Sequence, residues 1–288
     1  MNHKDTKLPP GLYLVGTPLG RARDITLHAL DVLASADVLV AEDTRTLRKL
    51  LEIHGVPLKN RRIVAYHDHS GAKEREFVLD FVRNAHSVAY ASEAGMPLTA
   101  DPGYQLVVTA RKEGLLATSA PGATAATTAL AISGLPSDKF LFHGFLPAAK
   151  IARKEALTQY HDLPATLVFY ESPGRLTDCL VDMQDVFGTD RQAAVCRELT
   201  KKFEEVIKGS LGDILANVSA RTIKGEIVIL VAPPTTSQTD PKEVETALIN
   251  ALETMRVKDA ADNVAGAFNL PRRDIYQLAL TLKEKTKT

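Results

Sequence analysis

Only two of the 288 residues are cysteine, Cys179 and Cys196, and both fall inside apolar segments. They make neither a disulfide framework nor a metal-ligand pair, and a reducing cytoplasm is the compartment such usage suits. Apolar runs are short: none approaches the roughly 20 residues a helix needs to cross a bilayer. The opening residues, MNHKDTKLPPG, are polar where a secretion signal would be apolar. Net charge is missing as well, because 35 Lys and Arg balance 35 Asp and Glu. That excludes strong attraction of the whole surface to nucleic acid but leaves room for local basic patches. Several signatures of chemistry are absent: no GxGxxG, no phosphate-loop lysine and no GxSxG nucleophile elbow occur. His67 and His69 stand two apart at a strand end with no third ligand, a poor zinc chelate. No metal is expected, and hydrogen bonding at a sheet rim is the better reading of that pair.

What is present is an ordinary soluble composition, 45% hydrophobic and 24% charged, in a chain long enough for two or three units. Strand-like runs at 12–15, 37–41, 63–66, 87–91 and 115–118 alternate with helical patterns. The first helix is capped by Asp24 and carries Ile25, Ala29, Leu30 and Leu33 on one stripe. Others run over 44–54 and 72–84 and from Asp101-Pro102 to about 112. This alternation predicts an α/β fold with a doubly wound parallel sheet. Its strand ends place Thr17, Glu42, Asp43, His67, Asp68, Glu93 and Thr124 near one rim, the carboxyl edge where ligands sit in such sheets. The stretch that organises the chain is 92–104, SEAGMPLTADPGY, a small-residue loop between a buried strand and a helix. Glu93 and Asp101 flank it, and Asp101 either caps the helix or faces a ligand.

A second, α+β unit starts near Ala123. A helix at 123–133 precedes strands at 140–143, 166–170, 193–197 and 226–231, with helices at 150–161, 175–186 and 211–220. Residues 233–240, PPTTSQTD, read as a linker. Three helices follow at 241–254, 257–268 and 272–282. Ala260, Ala261, Val264, Ile275, Tyr276 and Leu280 have the spacing of a helix-turn-helix unit, with Asn269 near its turn. Residues 272–288 carry five cations against two acids. The module reads either as a nucleic-acid contact or as a helical lid or dimer brace. The expected plan is a disordered arm at 1–11, an N-terminal α/β domain at 12–122, a second α/β domain at 123–233, and a linker with a helix-turn-helix-like module at 234–288. A rim of glycine-rich backbone, acids and neutral polar groups suits a neutral or zwitterionic ligand better than a triphosphate.

The motifs occur in a telling order: LYLVGTPLG at 12–20, DIT at 24–26, AEDTR at 41–45, HDH at 67–69, the 92–104 loop and PG at 121–122. GLPSDKFLFHGFLP at 134–147, YESP at 170–173, RELTKK at 197–202 and KGEI at 224–227 follow. Together they closely resemble the ribosomal RNA small subunit methyltransferase I branch of the tetrapyrrole methylase superfamily, over roughly residues 12–231, and the C-terminal module fits too. AEDTR, the 92–104 loop and ELTKK carry the resemblance as a set.

The resemblance implies two α/β domains with S-adenosylmethionine in the cleft between them, usually in a homodimer. It implies 2′-O-methylation of a cytidine ribose in the decoding centre of 16S rRNA. By motif, the cofactor pocket would take Pro18, Glu93, Ala94, Gly95, Met96, Thr99, Thr124, Ala125, Tyr170, Glu171, Leu199 and Glu226. Family members often read SDAGTP where this chain has Ser92-Glu93-Ala94-Gly95-Met96-Pro97, and Gly-Asn where it has Gly20-Arg21. A base or hydrogen-bond acceptor beside the ribose hydroxyl would help, and Glu171 or the Glu198/Lys201 pair are expected there; Glu171 could equally be a structural partner of Arg175. Arg21, Arg23, Arg45, Arg61, Arg62, Lys201, Lys202, Arg272 and Arg273 are expected to meet RNA phosphates. The partner would be 16S rRNA or the assembled 30S subunit. A methylase of a small tetrapyrrole, or a non-catalytic RNA-binding assembly factor, are the competing readings.

Overall fold

The computed structural model describes residues 3–67, 70–98, 103–234, 241–268 and 270–285, of which 241, 242, 284 and 285 by backbone alone. They form two compact units, Met1–Pro233 and Pro234–Thr288. In the first unit, strands β1 (Gly11–Val15), β2 (Val38–Ala41), β3 (Ile63–Ala65), β4 (Ser87–Ala91) and β5 (Ala117–Ala120) make a sheet of order β3-β2-β4-β1-β5. All its pairings are parallel. Helices α1 (Leu27–Ser35), α2 (Thr44–Ile53), α3 (Ala72–Arg83) and α4 (Tyr104–Lys112) cover it. The two-residue period of the strands divides its apolar side chains between two cores. Tyr13, Val15, Leu39 and Ala89 pack with Leu30, Leu33, Leu47 and Leu51 of α1 and α2. Leu12, Val40, Val88 and Tyr90 pack with Val78, Leu79, Leu106 and Ala110 of α3 and α4. The sheet is doubly wound, as the alternation predicts.

Local details correct four expectations. Asp24 ends a 3-10 turn instead of capping α1; Thr26 is the cap, its Oγ1 accepting from Ala29 N at 3.1 Å. Helix α4 starts at Tyr104 behind Gly103, whose φ of +116° is left-handed and which is pressed on Tyr90 and Leu98. Asp101 and Pro102, expected to open that helix, lie outside the described residues. Strand β5 comes later than 115–118, because Leu115 N donates to Ala110 O at 2.9 Å and closes the end of α4. Residues 3–10 do not hang as a loose arm: Lys4 N donates to Asp31 and Thr6 N to Ser35 on α1, and Leu8 packs on the core.

The second sheet has the order β6-β7-β10-β8-β9, built from β6 (Phe140–Phe145), β7 (Thr166–Glu171), β8 (Gln192–Arg197), β9 (Glu205–Ser210) and β10 (Ile227–Val231). Only β6 and β7 run parallel. Helix α5 (Ala125–Ser133) covers one face. Helices α6 (Lys150–Thr158), α7 (Leu176–Phe187) and α8 (Leu211–Ser219) cover the other. Strand β9 escapes sequence reading. Val206 and Ile207 are apolar neighbours among charges, so no alternation shows, and the segment is a strand because β8 supplies its ladder from Gln192 to Arg197. Burial pushes the thiols of Cys179 and Cys196 up to about 12, so both are inert packing groups.

The second unit is three helices, α9 (Pro241–Thr254), α10 (Val257–Phe268) and α11 (Arg272–Lys285), around Leu248, Ala260, Ala261, Val264, Ile275, Ala279 and Leu282. Tyr276 and Leu280, which belong to the helix-turn-helix spacing, are 38% and 37% exposed; Ala279 and Leu282 face inward. Asn269 lies outside the described residues.

One buried ion pair braces the second sheet's helices. Arg153 of α6 donates to Asp182 of α7, Nη2 to Oδ2 at 2.6 Å, with both side chains almost wholly buried. Removing one partner strands the other charge. Arg153→Met is expected to cost about 3–5 kcal/mol in urea unfolding, and Arg153→Met with Asp182→Leu should recover most of that loss.

Candidate active site

The carboxyl ends of β1, β4 and β5 converge. Backbone of Gly16, after β1, meets backbone of Gly122, after β5, so closely that a Cβ on Gly16 would stand 2.6 Å from Gly122 N and Cα. The same Cβ would be 2.8 Å from Met96 Sδ. Thr17 and Gly95 exchange backbone hydrogen bonds of 2.9 and 3.1 Å, and Ser92 Oγ donates to Gly95 O at 2.8 Å. Gly95 can turn there because its φ is +84°, a left-handed value that costs glycine little. These bonds hold residues 93–96 as a rigid floor.

The other wall comes from the second sheet. Tyr170 and Glu171 end β7, Ile227 and Val228 begin β10, and the 198–204 loop follows β8. That loop holds two non-glycine residues at positive φ, Glu198 at 51° and Thr200 at 62°. Such strain persists only where surroundings over-determine it. Here Arg21 Nε donates to Thr200 O at 2.9 Å across the cleft, and Glu204 accepts from Thr200 N at 2.6 Å. Lys201 bridges Glu198 and Glu226, at 3.1 Å to each. Thr124 caps α5, and Ala126 N donates to Tyr170 Oη at 3.2 Å, tying that helix to β7.

Between the walls is a cavity of about 320 Å³. Leu19, Ala94, Met96, Ala125, Phe145, Leu199, Ile227 and Val228 give it apolar surface, and Glu42, Glu93, Glu171 and Glu226 give it four carboxylates. Among the described residues, no Lys or Arg lines it. Glu42 Oε2 accepts from Glu93 N at 3.0 Å, which brings the two carboxylates to one end. Desolvation, and then the charges of Glu42, Asp43 and Glu226, push the Glu93 carboxyl above its ordinary range against the pull of Arg45. A cation relieves that repulsion and a polyphosphate worsens it. A sulfonium-bearing amino acid derivative with an apolar body therefore fits the donor set. Glu171 is 3% exposed. Its Oε1 accepts from Ser172 N at 2.7 Å; Oε2 stands 3.1 Å from Arg175 Nη2 but accepts no hydrogen bond among the described residues.

Of the expected pocket residues, Glu93, Ala94, Gly95, Met96, Thr124, Ala125, Tyr170, Glu171, Leu199 and Glu226 line this cavity. Pro18 stands just outside the lining, and Thr99 lies outside the described residues. Glu198 and Lys201 also stand outside it, paired with each other and, through Lys201, with Glu226. Sequence reasoning missed Leu19, Phe145, Ile227 and Val228 as lining, and put Glu42 on the rim without giving it a role. Glu42 was the findable one, since its strand end adjoins that of Glu93.

The expected RNA-contact residues divide. Arg23, Arg45, Arg62, Lys202 and Arg273 are exposed. Arg45 also pairs with Asp43, the cap of α2, and Lys202 lies over the Phe203 ring. Arg61 is a correction: its guanidinium donates to Leu33 O, Ala36 O and Pro57 O, so it braces α1 and faces no ligand. Arg21 is a tie between the lobes, and Arg272 is paired with Asp262 of α10. His67 is exposed; Asp68 and His69 lie outside the described residues.

Comparison with known proteins now decides the family. A model of tetrapyrrole (corrin/porphyrin) methylases matches residues 11–215, and one of the RsmI C-terminal HTH domain matches residues 238–283. Proteins named ribosomal RNA small subunit methyltransferase I are similar along nearly the whole chain. That of Mesorhizobium japonicum is 41% identical, over 96% of this chain and 94% of its own length. That of Erythrobacter litoralis is 43% identical, over 98% and 99%. The chain belongs to the ribosomal RNA small subunit methyltransferase I branch of the tetrapyrrole methylases. Solved structures of this superfamily share its fold. The cobalt precorrin-4 methyltransferase CbiF covers 77% of this chain with 94% of its own, at 18% identity and a TM-score of 0.58. The uroporphyrin-III-C-methyltransferase from Thermus thermophilus covers the same shares at 22% identity and a TM-score of 0.52.

Two substitutions probe the floor. Glu93→Gln removes the crowded charge. A carboxyl raised in the folded state contributes stability that is complete below its ordinary value of 4.5 and lost as pH rises through the folded value. The ligand-free variant should therefore melt above wild type at pH 7, with the gap closing as pH falls toward 4.5. Gly16→Ala forces backbone against backbone, and should lower both the melting temperature and the affinity for a cationic ligand measured by calorimetry.

Proposed function

We propose that the chain methylates small-subunit ribosomal RNA from S-adenosylmethionine, at the 2′-oxygen of one cytidine ribose in the decoding centre. The observation that carries the reading is the cavity between the two sheets, apolar in its body, ringed by Glu42, Glu93, Glu171 and Glu226 and, among the described residues, without a basic lining side chain. Relatives named for small-subunit rRNA methylation along the full length support the acceptor. Bound there, S-adenosylmethionine supplies an electrophilic methyl on a positive sulfur. Glu42, Glu93 and Glu226 offset positive charge; Ala94, Met96, Leu199, Ile227 and Val228 exclude water; Thr124 completes the enclosure. Aligning donor and acceptor in line supplies much of the rate, since little covalent chemistry is left to the protein.

Glu171, a lining residue whose carboxylate stands 3.1 Å from Arg175 Nη2, is assigned to accept a hydrogen bond from the ribose hydroxyl. Arg23, Arg45, Arg62, Lys202 and Arg273 contribute salt-dependent affinity for phosphates. The acceptor is 16S rRNA or the 30S subunit, in the cytoplasm, and the enzyme works as a homodimer. A small tetrapyrrole acceptor would leave the C-terminal helical module without a task.

Mass spectrometry of 16S rRNA from cells lacking the protein should show one cytidine ribose methyl missing; an unchanged methylation map would refute the assignment. In the purified enzyme, Glu171→Gln should lower kcat by roughly 10²-fold while donor affinity by calorimetry is kept. Wild-type turnover in that variant removes Glu171 from the role.

A further inference from the structure

Phe145 is an anomaly of the cavity. It is a lining residue, yet it is 56% exposed, whereas Leu199, Ile227 and Val228 on the same wall are 6%, 3% and 4% exposed. An apolar ring is being kept in water at the open side of the cavity, where Glu93 and Glu226 are also exposed. Its position is also deliberately built. Strand β6 pairs Phe142 with Val168, then Gly144 with Phe169 and Phe145 with Tyr170, so His143 is an extra residue in the ladder. Because side chains alternate, one inserted residue reverses which face the following side chains take. The bulge brings Phe145 to the face that Phe142 shares with Tyr170. Gly144 permits it with a φ of +82°. The ring is then fixed from behind. Tyr170 meets Phe145 edge to face at 5.6 Å and Phe142 at 4.8 Å, and its hydroxyl accepts from Ala126 N.

A rigid aromatic at the mouth of a methyl-transfer cavity has an evident use when the acceptor is a nucleotide outside a helix. Unstacked bases are held on aromatic faces, and a preset ring loses little entropy in doing so. We infer that Phe145 is the platform on which the base of the acceptor nucleotide stacks, a substrate-positioning residue for the ribose that is methylated. The inference rests on the RNA reading given above. Phe145 is opposite Tyr170 in the ladder, and Glu171 is the next residue of β7. A base on this ring is held beside Tyr170, at the wall that also carries Leu199 and Val228. The donor is enclosed deeper, by Gly95, Leu199, Ile227 and Val228.

The test uses full-length enzyme, purified 30S subunits, radiolabelled S-adenosylmethionine, and calorimetry with S-adenosylhomocysteine. Phe145→Ala and Phe145→Leu should raise KM for 30S subunits by roughly tenfold or more, with S-adenosylhomocysteine affinity unchanged. Phe145→Trp should restore KM toward wild type, which mere loss of packing does not predict. Wild-type KM in Phe145→Leu overturns the inference, because aliphatic bulk then suffices. Lost S-adenosylhomocysteine affinity in Phe145→Ala overturns it too, by assigning the ring to the donor. Failure of the wild-type enzyme to methylate either 30S subunits or naked 16S rRNA sinks the RNA reading itself, and this inference with it.

Discussion

Two glycines in backbone contact set the geometry of the site. Gly16 and Gly122 leave neighbouring parallel strands, β1 and the edge strand β5, and they touch main chain to main chain. Any side chain there would part the ends of β1 and β5. Because they stay together, Thr17 can trade hydrogen bonds with Gly95, Met96 can pack over the junction, and the Glu93 turn has one place to be. Everything the second sheet contributes is then positioned against that floor.

The walls are joined by charge-assisted bonds whose roles differ from what their residue types suggest. Arg21, Lys201 and Arg61 would each pass for a phosphate ligand. Arg21 spends its guanidinium on a carbonyl of the opposite wall, Lys201 on two carboxylates, and Arg61 on the carbonyls at the end of α1. Glu226 and Glu171 have cationic partners in Lys201 and Arg175, and the uncompensated charge of the cavity gathers at Glu42 and Glu93. A site of this kind prefers a positive ligand because its own acids repel one another, which the raised Glu93 carboxyl expresses. Strain follows the same distribution: the left-handed Glu198 and Thr200 sit where Arg21, Glu204 and Glu226 fix the loop from outside.

Much of the architecture was legible in the chain, because parallel strands buried on both faces read as short apolar runs between helical stripes. The order of the first sheet's elements, the 123–133 helix, and the three C-terminal helices follow from that pattern. So do the floor residues Glu93 to Met96 and the Tyr170-Glu171 strand end, since ligands collect where strands end. What failed has local causes. Asp24 and Thr26 are both good caps, and only the 3-10 turn between them chooses. Tyr276 and Ala279 occupy neighbouring helical faces, and the inward one is settled by how closely α9 and α10 approach.

The sequence by itself determined most of the strands and helices and where small residues allow backbone approach, because period and steric freedom are properties of neighbours along the chain. Tertiary structure alone decided that Glu205–Ser210 is an edge strand, that Arg61 faces inward, and that one bulge aims Phe145 at the cavity. Those outcomes depend on partners distant in sequence: a ladder offered by β8, carbonyls at the end of α1, and a register shift against β7. No spacing rule carries such information, since each is fixed only when two separate pieces of chain meet.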